Sequence, residues 1–180
     1  YESLNYVPVW LTDKGELKPN VESTIFILQN SYLDGLDPSR YHVHEINNLL
    51  KQIQLAQNTN HKNIESTLYV NFDITVSDAY LSYAKDMQNG RINPITTYPD
   101  WRVDREMVDV TSQFESSIAN GDLLNNMQHM APNNKMYQSL QTKLLEYYQM
   151  SNESSQNVLT DKDKDTMKQI ALNMDRLRWL

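Results

Sequence analysis

The chain has no cysteine, only four glycines and three phenylalanines among its 180 residues, and no long apolar run. The absence of cysteine excludes disulfides, thiolate nucleophiles and cysteine-ligated zinc. A helix that crosses a bilayer needs roughly 20 apolar residues in a row, so no membrane span is expected. Few glycines and no sustained alternation of apolar and polar residues argue against a β-sheet fold.

Clusters of basic residues are also scarce. The chain has 16 lysines and arginines against 23 aspartates and glutamates, for a net charge of −7, with both signs mixed along its length. Its one local basic cluster, Arg102 and Arg105, lies among Asp100, Asp104 and Glu106. Nucleic-acid binding requires a basic surface that neutralises phosphates, so we expect no nucleic-acid partner.

Helical periodicity is what the sequence does contain. After an extended lead-in over residues 1–19, apolar residues recur at three- and four-residue steps along most of the chain. The strongest pattern predicts a helix of about six turns that ends at Gly90, with one face formed by Ile64, Leu68, Phe72, Val76, Tyr80, Tyr83 and Met87. We predict an all-α fold: an irregular bundle of six or seven helices with one long ordered loop, Arg91 to Asp104.

Two short segments predict where helices end and begin. Gly35 follows an apolar run and suits the left-handed conformation that ends a helix. Asp37 suits the N-cap position and Pro38 the first helical position, so a sharp corner is expected here. Thr160, followed three residues later by Asp163, predicts a capping box at the start of the last helix.

Two patterns imitate reactive or metal-binding motifs. Ser82 and Lys85 have the spacing of a serine nucleophile and its lysine base, but they lie in mid-helix without the partner motifs. The acidic run at Asp161, Asp163 and Asp165 imitates the opening of a calcium loop. The required glycine and glutamate are absent from that loop, and helix capping explains the same acids.

Histidines and tryptophans are the remaining candidates. His42 and His44 would diverge on a helix, and His61 and His129 have no partner spacing. The tryptophans fall at segment junctions, where they either stack on a glycan or wedge helices together, and we favour the wedge: Trp10, Trp101 and Trp179. We therefore predict no catalytic residue, no metal ligand and no cofactor.

Several segments read together resemble one known family. They are Pro8-Val9-Trp10, the octet GLDPSRYH at residues 35–42, the run from Asp73 through Ser77 and Gly90-Arg91 to Pro94, Trp101, and the closing residues 173–180 (NMDRLRWL). In order and rough spacing, from about Val7 to Leu180, this set resembles the helical scaffold region of YcbB-type L,D-transpeptidases of the YkuD superfamily. Those enzymes are periplasmic and cross-link peptidoglycan.

The resemblance implies a single scaffold domain, residues 1–180, in a periplasmic protein. In that family the scaffold precedes a catalytic domain whose nucleophile is a cysteine in a His-Gly-Cys motif. This chain has no cysteine, so the catalytic domain is expected to lie outside it. The family also inserts a small peptidoglycan-binding domain before the last scaffold helix, whereas residues 150–159 form a link too short for one.

Two functions fit this reading. The first is a non-catalytic scaffold that positions the catalytic domain of the same parent protein, with peptidoglycan or cell-wall proteins as further candidate partners. The alternative is a free-standing helical module that binds peptidoglycan or a cell-wall protein. At the end of the chain, we expect one of Arg176 and Arg178 to pair with nearby acids. The other is expected to dock with Trp179 against a segment beyond Leu180.

Overall fold

A computed structural model describes residues 2, 6–58, 66–92, 100, 106–152 and 159–179. Within these residues the fold is all-α, as predicted, with helices and turns and no β-strand; a single antiparallel β-bridge joins Leu11 to Leu17. The α-helices, in chain order, are α1 Val21–Gln29, α2 Val43–Asn58, α3 Ser66–Asn89, α4 Val110–Asn120, α5 Leu123–Gln128, α6 Lys135–Asn152 and α7 Asp161–Leu177. Two 3-10 turns, Ser31–Asp34 and Pro38–Tyr41, lie between α1 and α2.

The predicted corner forms, although its second half differs from the expectation. Gly35 adopts φ 70° and ψ 20°, and its N–H donates to the carbonyl of Tyr32, so it ends the first 3-10 turn. Pro38 opens only a second 3-10 turn, not a long helix. His42 interrupts the helical path with a φ of 50°, and α2 starts at the next residue.

Other predicted helix ends are confirmed. Gly90 follows the last residue of α3 with a φ of 73°. Thr160 and Asp163 form the expected capping box: the Thr160 hydroxyl accepts from the Asp163 N–H, and the Asp163 carboxylate accepts from the Thr160 N–H. The predicted long loop falls mostly on residues 93–99 and 101–105, outside the described residues, so its order stays a prediction.

The chain divides into two compact units. The first contains Tyr1–Gln29, Pro38–Tyr83 and Asp109–His129, and the second contains Asn30–Asp37, Ala84–Val108 and Met130–Leu180. The first unit buries Trp10, Leu28, Tyr41, Ile46, Phe72, Val76, Tyr80 and Phe114 among others. The core of the second unit is formed by Tyr137, Leu144, Ile170 and Met174. Across the described part of the chain, no helix is both long enough and apolar enough to cross a membrane.

Candidate functional site

Segments that carry the family resemblance meet at α7 in the second unit. Gly35 lies against this helix so closely that a Cβ added to it would be 2.8 Å from the Cα of Ala171. A Cβ on Gly90 would overlap the indole of Trp179. The backbone N–H of Arg91 donates to Asp175 Oδ1 at 3.1 Å. Both glycines are therefore required for close packing as well as for their positive φ.

Arg178 lies at the centre of this packing and is fully buried. Its Nη1 donates to Asp175 Oδ1 at 3.2 Å, and its Nη2 donates to the Tyr137 hydroxyl at 2.8 Å and to the carbonyl of Asp34. The guanidinium carbon also lies 5.5 Å from the centre of the Tyr137 ring, within cation–π range. One side chain thus ties the end of α7 to α6 and to the first 3-10 turn.

Asp34 and Tyr137 extend the same network. The Tyr137 hydroxyl donates to Asp34 Oδ1 at 3.1 Å, and Gln141 Nε2 donates to the same oxygen at 3.0 Å. Burial raises the pKa of Tyr137 above its ordinary value, outweighing the opposite effect of nearby Arg178. The hydroxyl therefore stays protonated. It accepts a hydrogen bond from Arg178 and donates one to the Asp34 carboxylate.

The network settles one of the expectations for the end of the chain. One arginine does pair with a nearby acid, and it is Arg178; Arg176 Nη1 donates to Asn173 Oδ1 at 3.2 Å instead. Trp179 is only 3% exposed and packs beside Gly90. With its indole this buried, Trp179 has little surface left to offer a later segment, and docking beyond Leu180 stays a prediction.

In the first unit, two other segments of the resemblance contact each other. The Asp73 carboxylate accepts from the backbone N–H groups of Val9, at 3.0 Å, and Trp10, at 2.7 Å. One turn later on the same face of α3, Ser77 Oγ accepts from Trp10 Nε1 at 2.9 Å. This spacing of four residues lets a single helix face hold both the backbone and the side chain of the N-terminal segment.

Trp10 is a wedge, as the sequence favoured. Its ring lies 6.0 Å from that of Tyr80 and 6.4 Å from that of Phe114, centre to centre. The Tyr80 hydroxyl reaches the carbonyl of Leu123 at 3.2 Å, and burial, with a smaller effect of Asp122, raises the pKa of Tyr80. Trp101 lies outside the described residues.

An apolar cleft of about 560 Å³ lies between the N-terminal segment and α3, and Asp73 is one of its lining residues. Its volume is within the range of roughly 300–1,000 Å³ typical of ligand sites. Its apolar lining consists of Tyr6, Pro8, Leu11, Tyr69, Val70 and Ile74, and its charged lining residues include Asp13 and Lys14. Val70 and Ile74 remain 53% and 50% exposed.

The candidate chemical motifs lie at ordinary helical positions. Ser82 and Lys85 are in the interior of α3, and the run that imitates a calcium loop forms the capped start of α7. His42 Nε2 lies 2.9 Å from Asp78 Oδ2, while His61 lies outside the described residues. Within residues 6–58, 66–92, 106–152 and 159–179, no three His, Asp or Glu side chains are grouped to hold a metal ion.

Sequence reasoning missed Asp34, Tyr137 and Asp175 as members of a buried network. Asp34 looks like an ordinary turn acid, and Tyr137 looks like one apolar position of α6. The available signal was the closing Asp-x-x-Arg at residues 175–178, which places both side chains within one helical turn. Nothing local in the sequence identifies Asp34 as their third partner.

Within the described residues the fold is all-α, and the segments that carry the resemblance form packing and polar contacts. A model of the Scaffold domain family matches residues 1–144, well over half of the chain, and the protein belongs to that family. No curated protein and no solved structure matches it.

Proposed function

We propose that this chain is the non-catalytic scaffold region of a periplasmic L,D-transpeptidase-like protein that cross-links peptidoglycan. Its role is to position a catalytic domain of the same parent protein. Membership of the Scaffold domain family supports the scaffold role, and the resemblance of residues 7–180 supports the link to transpeptidases.

The observation that carries the proposal is the meeting of Gly35, Gly90-Arg91 and Arg178-Trp179 around α7. These segments are distant in sequence, yet each one contacts α7 or lies directly after it. Arg178 is buried and its Nη1 and Nη2 groups donate to three different residues, which supports a rigid end of α7 on which another domain could be positioned.

The test is a comparison of peptidoglycan from cells with and without the natural reading frame that contains residues 1–180. Muropeptides are separated and the cross-links made by L,D-transpeptidation are quantified. We expect these cross-links to fall when the frame is disrupted and to return when it is supplied on a plasmid. Unchanged cross-links, or a frame without a domain bearing catalytic histidine and cysteine, would overturn the proposal.

A matched pair of glycines tests the scaffold role within that protein. Gly35→Ala disturbs the contact with α7, whereas Gly121→Ala changes a positive-φ glycine with no atom within 4 Å of the added Cβ. We expect the first variant to reduce cross-links at equal protein level and the second to have a smaller effect. Equal effects would argue against a role for the α7 contact.

The apolar cleft of the first unit favours the alternative, a free-standing binding module. Co-sedimentation with purified sacculi tests peptidoglycan binding directly. Val70→Glu places a charge in the cleft, and Met136→Glu is a control at another exposed apolar residue of the chain. The alternative requires that the wild type and the Met136 variant sediment with sacculi and that the Val70 variant does not.

A further inference from the structure

Two Asn-Gly dipeptides occur in the chain, Asn89-Gly90 and Asn120-Gly121. In such a dipeptide the backbone nitrogen of glycine can attack the side-chain amide carbon of asparagine, because glycine has no Cβ to hinder the approach. Each asparagine here is the last residue of a helix, α3 or α4, and each glycine follows it with a positive φ, 73° or 72°. The two backbones are therefore matched, and the side chains differ in their surroundings.

The Asn89 side chain is held at both ends of its amide. Its Oδ1 accepts from the backbone N–H of Val108 at 2.9 Å, and its Nδ2 donates to the carbonyl of the same residue at 3.0 Å. Asn89 is also only 8% exposed. Its amide must lose both hydrogen bonds before the amide carbon can turn toward the nitrogen of Gly90.

The Asn120 side chain is in the opposite situation. It is exposed, and within the residues that the structure describes its amide has no hydrogen-bond partner. A Cβ placed on Gly121 would have no atom within 4 Å, so this glycine is open to solvent as well. The Gly121 N–H donates to the carbonyl of Ile118 at 3.2 Å, the long end of the normal range, and fraying of the last helical turn releases it.

We propose that Asn120 is a site of spontaneous deamidation in the folded protein and that Asn89 is protected from it. The Gly121 nitrogen forms a bond to Asn120 Cγ, and the side-chain amide nitrogen leaves as ammonia with the proton from the Gly121 nitrogen. Water then opens the succinimide ring, its oxygen bonding to one ring carbonyl while the ring nitrogen takes up a proton. Opening at Cγ gives aspartate, and opening at the backbone carbonyl gives isoaspartate. This inference does not depend on the proposed scaffold function.

Either product changes the end of α4. Both place a negative charge at the C-terminus of a helix, where the helix dipole is also negative. Isoaspartate in addition lengthens the backbone, which displaces the two N–H groups that close the helix: that of Gly121, bonded to the Ile118 carbonyl, and that of Asp122, bonded to the Ser117 carbonyl at 3.0 Å. We therefore expect faster amide hydrogen exchange at Gly121 and Asp122 in the deamidated protein than in fresh protein.

Peptide mapping of the full chain after incubation at mildly alkaline pH tests the proposal. Trypsin places Asn89 in peptide 86–91 and Asn120 in peptide 106–135, and fragmentation mass spectra locate each conversion. In buffer, we expect Asn120 to convert at least about tenfold faster than Asn89, because two hydrogen bonds restrain only the Asn89 amide. In urea, where these contacts are lost, the two rates should become similar. Equal rates in the folded chain, or an intact Asn120 while the unfolded chain converts, would overturn the proposal.

A matched pair of asparagine variants assigns the released ammonia to its source. Asn120→Gln keeps an exposed amide but would have to close a larger ring, so the folded variant should release ammonia much more slowly than the wild type. Asn125→Gln changes an exposed asparagine that is followed by Asn126 instead of glycine, and it should leave the release unchanged. Equal ammonia release from the two variants would place the reaction elsewhere and contradict the assignment to Asn120.

Discussion

The two units hold their irregular segments in different ways. In the first unit, the Asp73 carboxylate accepts from two neutral backbone N–H groups of the N-terminal segment. Aromatic rings packed around Trp10 also hold this segment. In the second, a buried guanidinium, Arg178, is surrounded by Asp175, Tyr137 and the Asp34 carbonyl. The first arrangement leaves neutral groups behind when a partner is lost, and the second leaves a buried charge, so the second should be the more fragile.

Loss of Arg178 should have the largest effect. Arg178→Met keeps much of the side-chain volume but removes the main counter-charge of buried Asp175, so we expect a loss of about 3–5 kcal/mol in the free energy of unfolding. Urea denaturation measures it. Arg176→Met, two residues earlier, serves as the control and should cost less than about 0.5 kcal/mol. A loss near 1 kcal/mol for Arg178→Met would remove the contrast between the units.

Loss of the Asp73 carboxylate comes second. Asp73→Asn keeps one acceptor oxygen and turns an amide donor toward a backbone donor, so we expect a loss of about 2 kcal/mol. Asp78→Asn, on the same helix and 61% exposed, is the control and should change stability by less than about 0.5 kcal/mol. If Asp73→Asn costs more than Arg178→Met, the proposed order of fragility is wrong.

A pair of glycines should give a smaller contrast. Gly35→Ala and Gly121→Ala impose the same left-handed strain, about 1 kcal/mol each, since their φ values are 70° and 72°. Only Gly35 adds a steric overlap with Ala171, so we expect it to cost about 1–2 kcal/mol more. Thermal unfolding of the two variants checks this difference. Equal melting temperatures would show that α7 shifts away without penalty.

The smallest effects concern pH and involve one helix cap in each unit. Hydrogen bonds from Ser112 lower the pKa of Asp109, and those from Thr160 lower the pKa of Asp163. Because both folded pKa values lie below the unfolded ones, their stabilisation is present above about pH 4 and is lost as pH falls through the folded values. The urea midpoint of unfolding should therefore fall less steeply at acid pH in Asp109→Asn and in Asp163→Asn than in the wild type. A variant as acid-sensitive as the wild type would contradict this.

Helix positions follow from local rules, which is why they could be predicted. Gly35, Gly90 and the Thr160–Asp163 box act through neighbouring residues, so their effect is visible in the sequence. His42 is the exception: its positive φ accompanies a contact with Asp78, which is 36 residues away. Periodicity along one segment cannot report such a partner.

The interior polar contacts could not be predicted for the same reason. Arg178 meets the Asp34 carbonyl across 144 positions of sequence, and Asp73 meets Val9 across 64. The apolar periodicity of a helix identifies its buried face, but it does not identify the distant polar group that will form a hydrogen bond there.

The capping box at Thr160 has a consequence for how the chain tolerates added sequence. Both of its hydrogen bonds lie within residues 160–163, so the start of α7 needs nothing from the residues before it. At the other side, the Ser151 hydroxyl donates to the carbonyl of Tyr148 near the end of α6. Extra residues between these ends should therefore cost mainly loop entropy, about 0.6 kcal/mol for each doubling of length. We therefore expect the two helix ends to tolerate added residues between them, because these hydrogen bonds at each end are local.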